Sequence, residues 1–308
     1  MNATLFLIQC LNGLQLGVLL FLVAAGLTLV FGVMDFINLA HGVQYMLGAY
    51  LAVTFTALTG NLFLALPLAL VAALVLGLAL EVAVFRHLYD RDHLEQVLAT
   101  FGIILFLNQG VKIVWGAAPL SVPVPEALSG SIAIAQGVLY PVYRLAIIGS
   151  GLAVALGLHV VINHTRVGML IRAGSTNAAM VSALGVDIRR LFMIVFGFGA
   201  MLAGFAGIMI APILSVEPGM GDQILILAFV VIVIGGIGSI RGAFVAAIIV
   251  GLVDTLGRSF SVDILRSFGM GPANARAVGP AISSMLIYVL MAAVLFFRPS
   301  GLFPAKGR

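Results

Sequence analysis

Long apolar runs follow one another along this chain, and the charged residues fall almost entirely in the connections between them. About 20 apolar residues at 1.5 Å rise each cross a hydrocarbon core of roughly 30 Å. The pattern predicts helices near residues 5–33, 42–59, 62–84, 97–115, 141–163, 191–214 and 280–297. Between 224 and 257 the apolar stretch is too long for one span, and Gly235-Gly236-Ile237-Gly238-Ser239-Ile240-Arg241-Gly242 interrupts it. That stretch reads as two short helices on a glycine hinge, and irregular backbone at membrane depth needs protein or a water-filled cavity around it. Of 308 residues, 62% are hydrophobic and 8% charged, whereas a soluble domain carries roughly 25% charged residues. The fold class expected is an all-α polytopic membrane protein of eight or nine transmembrane helices, some short or broken, in one domain over 1–308.

Orientation follows from the basic residues. The connection 164–190 holds Arg166, Arg172, Arg189 and Arg190, while the connection after Trp115 has none until Arg144, so the first is read as cytoplasmic and the second as outer. Trp115, Tyr140 and Tyr143 then fit interfacial aromatics, and Arg86, His87, Arg91 and His93 fall inside. The N-terminus is read as outside, with no removable signal peptide, and the tail with Arg298, Lys306 and Arg308 as inside. Outer loops are expected at 116–140, 215–223 and 258–279. This parity leaves Arg258, Arg266 and Arg276 outside, against the positive-inside rule. The pI near 9.6 does not point to nucleic acid, because the basic residues are scattered among connections.

Enzymatic readings lack their motifs. The only lysines, Lys112 and Lys306, follow no phosphate-cradling glycine loop, and neither a zinc-protease motif nor a nucleophile elbow is present. Cys10 is the single cysteine, so no disulfide framework or cysteine metal site is expected. An ion-coupled secondary transporter of small polar solutes, the alternative reading, needs ionisable groups within its spans. Glu81, Lys112 and Asp254 each lie near a predicted helix end, where interfacial water can reach them, and Asp254 is placed to pair with Arg258 four residues on. His159 is deeper and is expected to hydrogen-bond a neighbouring helix.

Four stretches carry positive signals. Asp35 to Gly42, followed by Leu47-Gly48-Ala49-Tyr50, sets polar residues and glycines between two apolar runs. It looks like a broken helix in which Asn38, His41 and Gly42 line a passage, or in which Asn38 merely caps the next helix. Ser175, Thr176 and Asn177 offer N-caps to a short helix that Gly185 stops, with Met180, Val181 and Leu184 on one face. Ala200, Ala203, Gly204 and Gly207 are small residues at spacings of three and four that let helices approach closely. Gly235, Gly236, Gly238 and Ser239 form the hinge, suited to tight packing or to a gate.

Together these stretches resemble the membrane permease subunit of branched-chain (hydrophobic) amino-acid ABC importers. The anchors are Asn38-Leu39-Ala40-His41-Gly42 with Leu47-Gly48-Ala49-Tyr50, then Ala183-Leu184-Gly185-Val186, then Gly235 to Ser239 with Gly242-Ala243, and finally Arg298-Pro299-Ser300-Gly301-Leu302-Phe303. The resemblance implies an ABC importer permease fold in the bacterial inner membrane, with no cofactor in this chain. ATP and magnesium would be held by two partner ATPase subunits. It also implies a second homologous permease, a sister chain rather than a copy, and a periplasmic binding protein that delivers branched-chain or related hydrophobic amino acids. Ala178, Ala179, Met180, Val181, Ala183, Leu184 and Gly185 would form the coupling helix to the ATPase. Family members often carry charges just before this Ala-Leu-Gly, where the present chain has neutral Ser175 to Met180, so apolar docking is expected. Arg258, Arg266 and Arg276 are expected to meet acidic groups on the binding protein.

Overall fold

Side-chain caps fix where several of the spans begin. Asn61, Asp92, Asp187 and Ser239 each accept a hydrogen bond from a backbone N–H two or three residues on, satisfying amides that a helix start leaves free. The structure, a computed structural model, describes residues 3–135 and 138–304. Its helices are α1 (Ala3–Met34), α2 (His41–Thr59), α3 (Leu62–Ala83), α4 (His93–Trp115), α5 (Val142–His164), α6 (Arg166–Ala183), α7 (Ile188–Ile210), α8 (Met220–Gly235), α9 (Ile240–Ser267) and α10 (Pro272–Phe297). Strands β1 (Ser131–Ala135) and β2 (Val138–Pro141) pair antiparallel before α5. Among the described residues seven helices are long and apolar enough to cross a membrane: α1, α3 with the 3-10 turn after it, α4, α5, α7, α9 and α10. The buried α2 and the shorter apolar α8 complete the bundle. The chain is an all-α polytopic membrane protein.

Glycines set the packing of the central helices. A Cβ on Gly48 would lie 2.5 Å from the Gly204 Cα, one on Gly77 would strike the Ala200 methyl, and one on Gly207 would strike the Tyr45 carbonyl. Thus α7 lies directly against α2 and α3 through the small-residue stripe that the sequence shows. On its other side α1 runs antiparallel to α9, with Gly13 against Leu252, Gly17 against Ile248, Phe21 edge-on to Phe244 at 5.1 Å and Gly32 against Gly238. Gly26 and Gly199 bring α1 and α7 together, and the core fills around Leu20, Phe21, Leu27, Phe36, Tyr50 and Phe196.

These pairings define two ends. The start of α1 meets α9 through Phe6 and Phe260 and meets β2 through Asn12 and Tyr140, and Leu120 pairs with Val216 at the same end. The finish of α1 meets the α8–α9 turn through Gly32 and meets α6 through Val33 and Gly174. At this second end Leu302 and Phe303 donate backbone hydrogen bonds to the Ile234 and Gly235 carbonyls.

Several expectations need correction. The second helix of the hinge pair is not short: α9 runs 28 residues, because Asp254 pairs with Arg258 one turn on and carries the helix through its polar half. Asp254 therefore sits mid-helix and buried rather than at a helix end. The expected loop 258–279 is the outer half of α9 and the start of α10, joined by residues 268–271 only. Pro272 stands in the first turn of α10, where its missing N–H costs nothing, so the helix begins eight residues before 280. Tyr140 and Tyr143 are buried within the protein at the outer end rather than exposed on its surface, their hydroxyls donating to Asn12 Oδ1 and the Met209 carbonyl. His159 hydrogen-bonds Asn163 on its own helix rather than a neighbour. Lys306 and Arg308 lie outside the described residues.

Candidate functional site

At the break after α1 the chain turns at Asp35, whose φ is 50°, runs without regular structure through Phe36 to Asn38, and starts α2 at His41. The His41 ring lies between α1 and α2: its Nε2 is 3.1 Å from the Val23 carbonyl, and a Cβ on Gly26 would touch it. This is irregular backbone covered by protein at the depth of the middle of α1. Asn38 does not cap α2. The N-cap position is Ala40, which offers no side-chain bond, and both Asn38 amide atoms are buried with no partner in the chain. Gly42 sits against the Gly221 backbone and the Leu225 side chain, so the first turns of α2 and α8 meet closely there. The α8 N-cap, Gly219, likewise supplies no side-chain acceptor.

The glycine hinge is a tight joint. Gly236 and Gly238 have φ of 103° and 81°, which only glycine adopts readily. Gly235 packs on Gly242, while Gly301 packs on Gly235 and Gly236, so the segment Arg298 to Phe303 clasps the turn. Ser239 caps α9 through the Gly242 amide at 3.1 Å. Of the two readings left open for this hinge, packing is the one that this conformation displays.

The cytoplasm-predicted segment folds as α6, which kinks at Asn177, where φ is −158° and ψ is 91°. Asn177 Oδ1 accepts from the Met180 amide at 2.8 Å, so it caps a second, shorter helix from Ala178 to Ala183. Gly185, at φ 89°, ends it: its amide bonds the Ser182 carbonyl and the Val186 amide bonds the Val181 carbonyl, a Schellman closure. Met180 and Leu184 are 60% and 78% exposed, but Val181 is buried. The exposed apolar face therefore consists of Met180 and Leu184, with Ala179 and Ala183 exposed beside them, and Val181 anchors the helix from below.

Beneath this helix lies a cleft of about 820 Å³ between Ala178, Ala179 and Ser182 on one side and Glu81, Arg86 and Tyr89 on the other. Glu81 is buried, 3.0 Å from Arg86 and 3.2 Å from the Tyr89 hydroxyl, rather than open to interfacial water. Burial, followed by the Glu81 charge, pushes the Tyr89 phenol well up, so it stays a proton donor to that carboxylate. Sequence reasoning missed this group; the signal available was a lone Glu eight residues before a Tyr at a span end. Arg266 and Arg276 are exposed at the opposite end of the bundle, and Arg258 is held at 2.8 Å by Asp254.

A many-span bundle with a broken helix inside it and a capped, apolar-tipped helix presented at one end has the parts of a membrane transport permease. The family model for the branched-chain amino acid transport system permease component matches residues 9–295, and the chain belongs to that family. The permease protein BraD of the high-affinity branched-chain amino acid transport system of Pseudomonas aeruginosa is 27% identical, over 96% of this chain and 95% of that protein. The corresponding LivH of Escherichia coli is 30% identical over 83% of this chain and 87% of its own length. A probable branched-chain amino acid transport permease LivH of Methanocaldococcus jannaschii is 26% identical over 92% and 88%. No solved structure matches the chain.

Proposed function

We propose that this chain is the path-forming permease subunit of an ATP-binding-cassette importer for branched-chain or related hydrophobic amino acids. Two separate ATPase subunits hold ATP and magnesium, a sister permease completes the path, and a periplasmic binding protein delivers the cargo. The observation that carries the reading is the short helix Ala178–Ala183, whose exposed Met180 and Leu184 make an apolar tip where a membrane protein would otherwise show polar residues to water. Docked on an ATPase, this helix transmits its closure to α7 through the Gly185 turn and to the cleft floor at Glu81, Arg86 and Tyr89.

The end bearing Arg86, Arg91, Arg166, Arg172, Arg189 and Arg190 also carries Arg241 and Arg298, which supports a cytoplasmic placement with the N-terminus outside and the C-terminus inside. At the outer end Arg266 and Arg276 are free to meet an acidic face of the binding protein, while Asp254 partly neutralises Arg258. Asn38, His41 and Gly42 line the path, and the Gly235–Ser239 turn holds its inner end. Uptake of labelled leucine into proteoliposomes tests this. The reading requires uptake to depend on ATP, the ATPase and the binding protein; ion-driven uptake by this chain alone would replace it with a secondary transporter.

A further inference from the structure

Ten buried side-chain polar atoms among the described residues find no well-aligned hydrogen-bond partner, and five of them fall within seven residues: Asn38 Nδ2 and Oδ1, His41 Nδ1, and Gln44 Nε2 and Oε1, with His41 and Gln44 near enough to interact with each other. Each such group forfeits its hydration without replacement, so a cluster at one place is a standing cost that packing alone does not explain. All three residues are at most 5% exposed. They occupy the break before α2 and its first turn, where neither α2 nor α8 has a side-chain N-cap and where the two helix starts touch at Gly42 and Gly221. The two helix starts meet there, but the His41, Val43, Gly219, Met220 and Asp222 amides already donate hydrogen bonds and Asp222 stands in the first turn of α8, so the groups left for a polar ligand are the unpartnered side chains. Gln44 also lines a small, partly open pocket of about 10 Å³ with Leu47, Ala73, Leu76, Gly77 and Ala200, on the side of α2 that faces α3 and α7, about the room of one water centre.

We infer that Asn38, His41 and Gln44 form a hydrogen-bonding site for the zwitterionic end of the transported amino acid, closed in this conformation. This rests on the path reading above. The Asn38 and Gln44 side-chain N–H groups and an imidazole N–H donate to the carboxylate; the Asn38 and Gln44 carbonyl oxygens accept from the ammonium. The site opens where α2 and α8 meet at Gly42 and Gly221, a backbone-on-backbone contact held besides by Leu225 against Gly42 and by the Gly219 amide donating to Met46 Sδ. Leu225, beside Gly42, supplies an apolar wall for the cargo's side chain.

The test uses the reconstituted importer and an Asn38→Leu, Gln44→Met double variant, with leucine as the probe. Removing unsatisfied groups stabilises the closed form, so the purified permease should melt roughly 2–4 °C higher, while uptake falls about tenfold or more through lost contacts to charged groups. ATPase co-purification should stay unchanged, because Met180 and Leu184 are untouched. Thr28→Val, which removes an orphan hydroxyl on α1 outside the site, should raise the melting temperature and leave uptake intact. Undiminished uptake by the double variant overturns the inference, as does a lower melting temperature, which would show the groups to be satisfied and structural. If the wild type itself takes up no leucine under any drive, the path reading fails instead.

Discussion

Asn177 bends α6, and replacing it tests whether that bend couples the two subunits. Its extended backbone separates two helical stretches, and its side chain caps the second at 2.8 Å. Asn177→Ala removes the cap, a loss of about 1 kcal/mol, and gains about 0.6 kcal/mol of helix propensity for a straight α6. The sum of about 1.6 kcal/mol moves the balance between bent and straight forms somewhat more than tenfold toward straight. A straight α6 carries Met180 and Leu184 along the axis of Arg166–Thr176 and away from the position that the Gly185 turn gives them. ATP hydrolysis by the reconstituted importer, with and without cargo-loaded binding protein, reads this out. The Ala variant should lose most of the cargo stimulation while keeping basal hydrolysis, with slowed amide exchange across 176–178. Asn177→Asp caps equally well and should keep the stimulation. Full stimulation in the Ala variant, with α6 shown straight by exchange, would refute the role assigned to the bend.

Other outcomes follow from the same geometry. Gly48→Ala places a methyl against the Gly204 backbone, which cannot rotate away; a loss of about 3 kcal/mol, at the top of the overpacking range, should appear as a lower melting temperature in detergent. Gly301→Ala combines φ of 82° with a clash on Gly236, and should release the C-terminal clasp, read as faster amide exchange at Leu302 and Phe303. Arg86→Ala leaves Glu81 buried with only the Tyr89 hydroxyl; since Arg86 is 42% exposed, the cost should fall to about 1–2 kcal/mol, below that of a fully buried pair. Charge reversal at Arg266 and Arg276 should weaken binding-protein docking at low salt more than reversal at Arg258, because Asp254 already offsets Arg258.

Apolar length is a strong signal, and α1, α3, α4, α5 and α7 were legible from it within a few residues. The small-residue stripe on α7 was equally plain, since Gly204 and Gly207 can serve little besides close approach. What the sequence hid was polar continuation of helices beyond the apolar core. Asp254 with Arg258 extends α9, and Pro272 starts α10 before its apolar run begins. The β1–β2 hairpin was missed although Ile132 and Ile134 alternate, because two short strands carry little hydropathy signal. The Asn177 and Gly185 boundaries of the short helix were readable as cap chemistry, but the inward turn of Val181 was not, since helical spacing alone does not say which side meets the protein. Asn38 read equally well as cap or as path residue; its unpartnered amide and the N-cap at Ala40 remove the cap reading.

The central claim is that Met180 and Leu184 seat this permease on a separate ATPase. Affinity purification of the tagged chain from its host, as wild type and as the Met180→Asp, Leu184→Asp double variant, tests it most directly. The wild type should bring down a nucleotide-binding subunit with ATPase activity, and the variant, still folded by its melting temperature, should lose it. An ATPase that co-purifies equally with both would contradict the account.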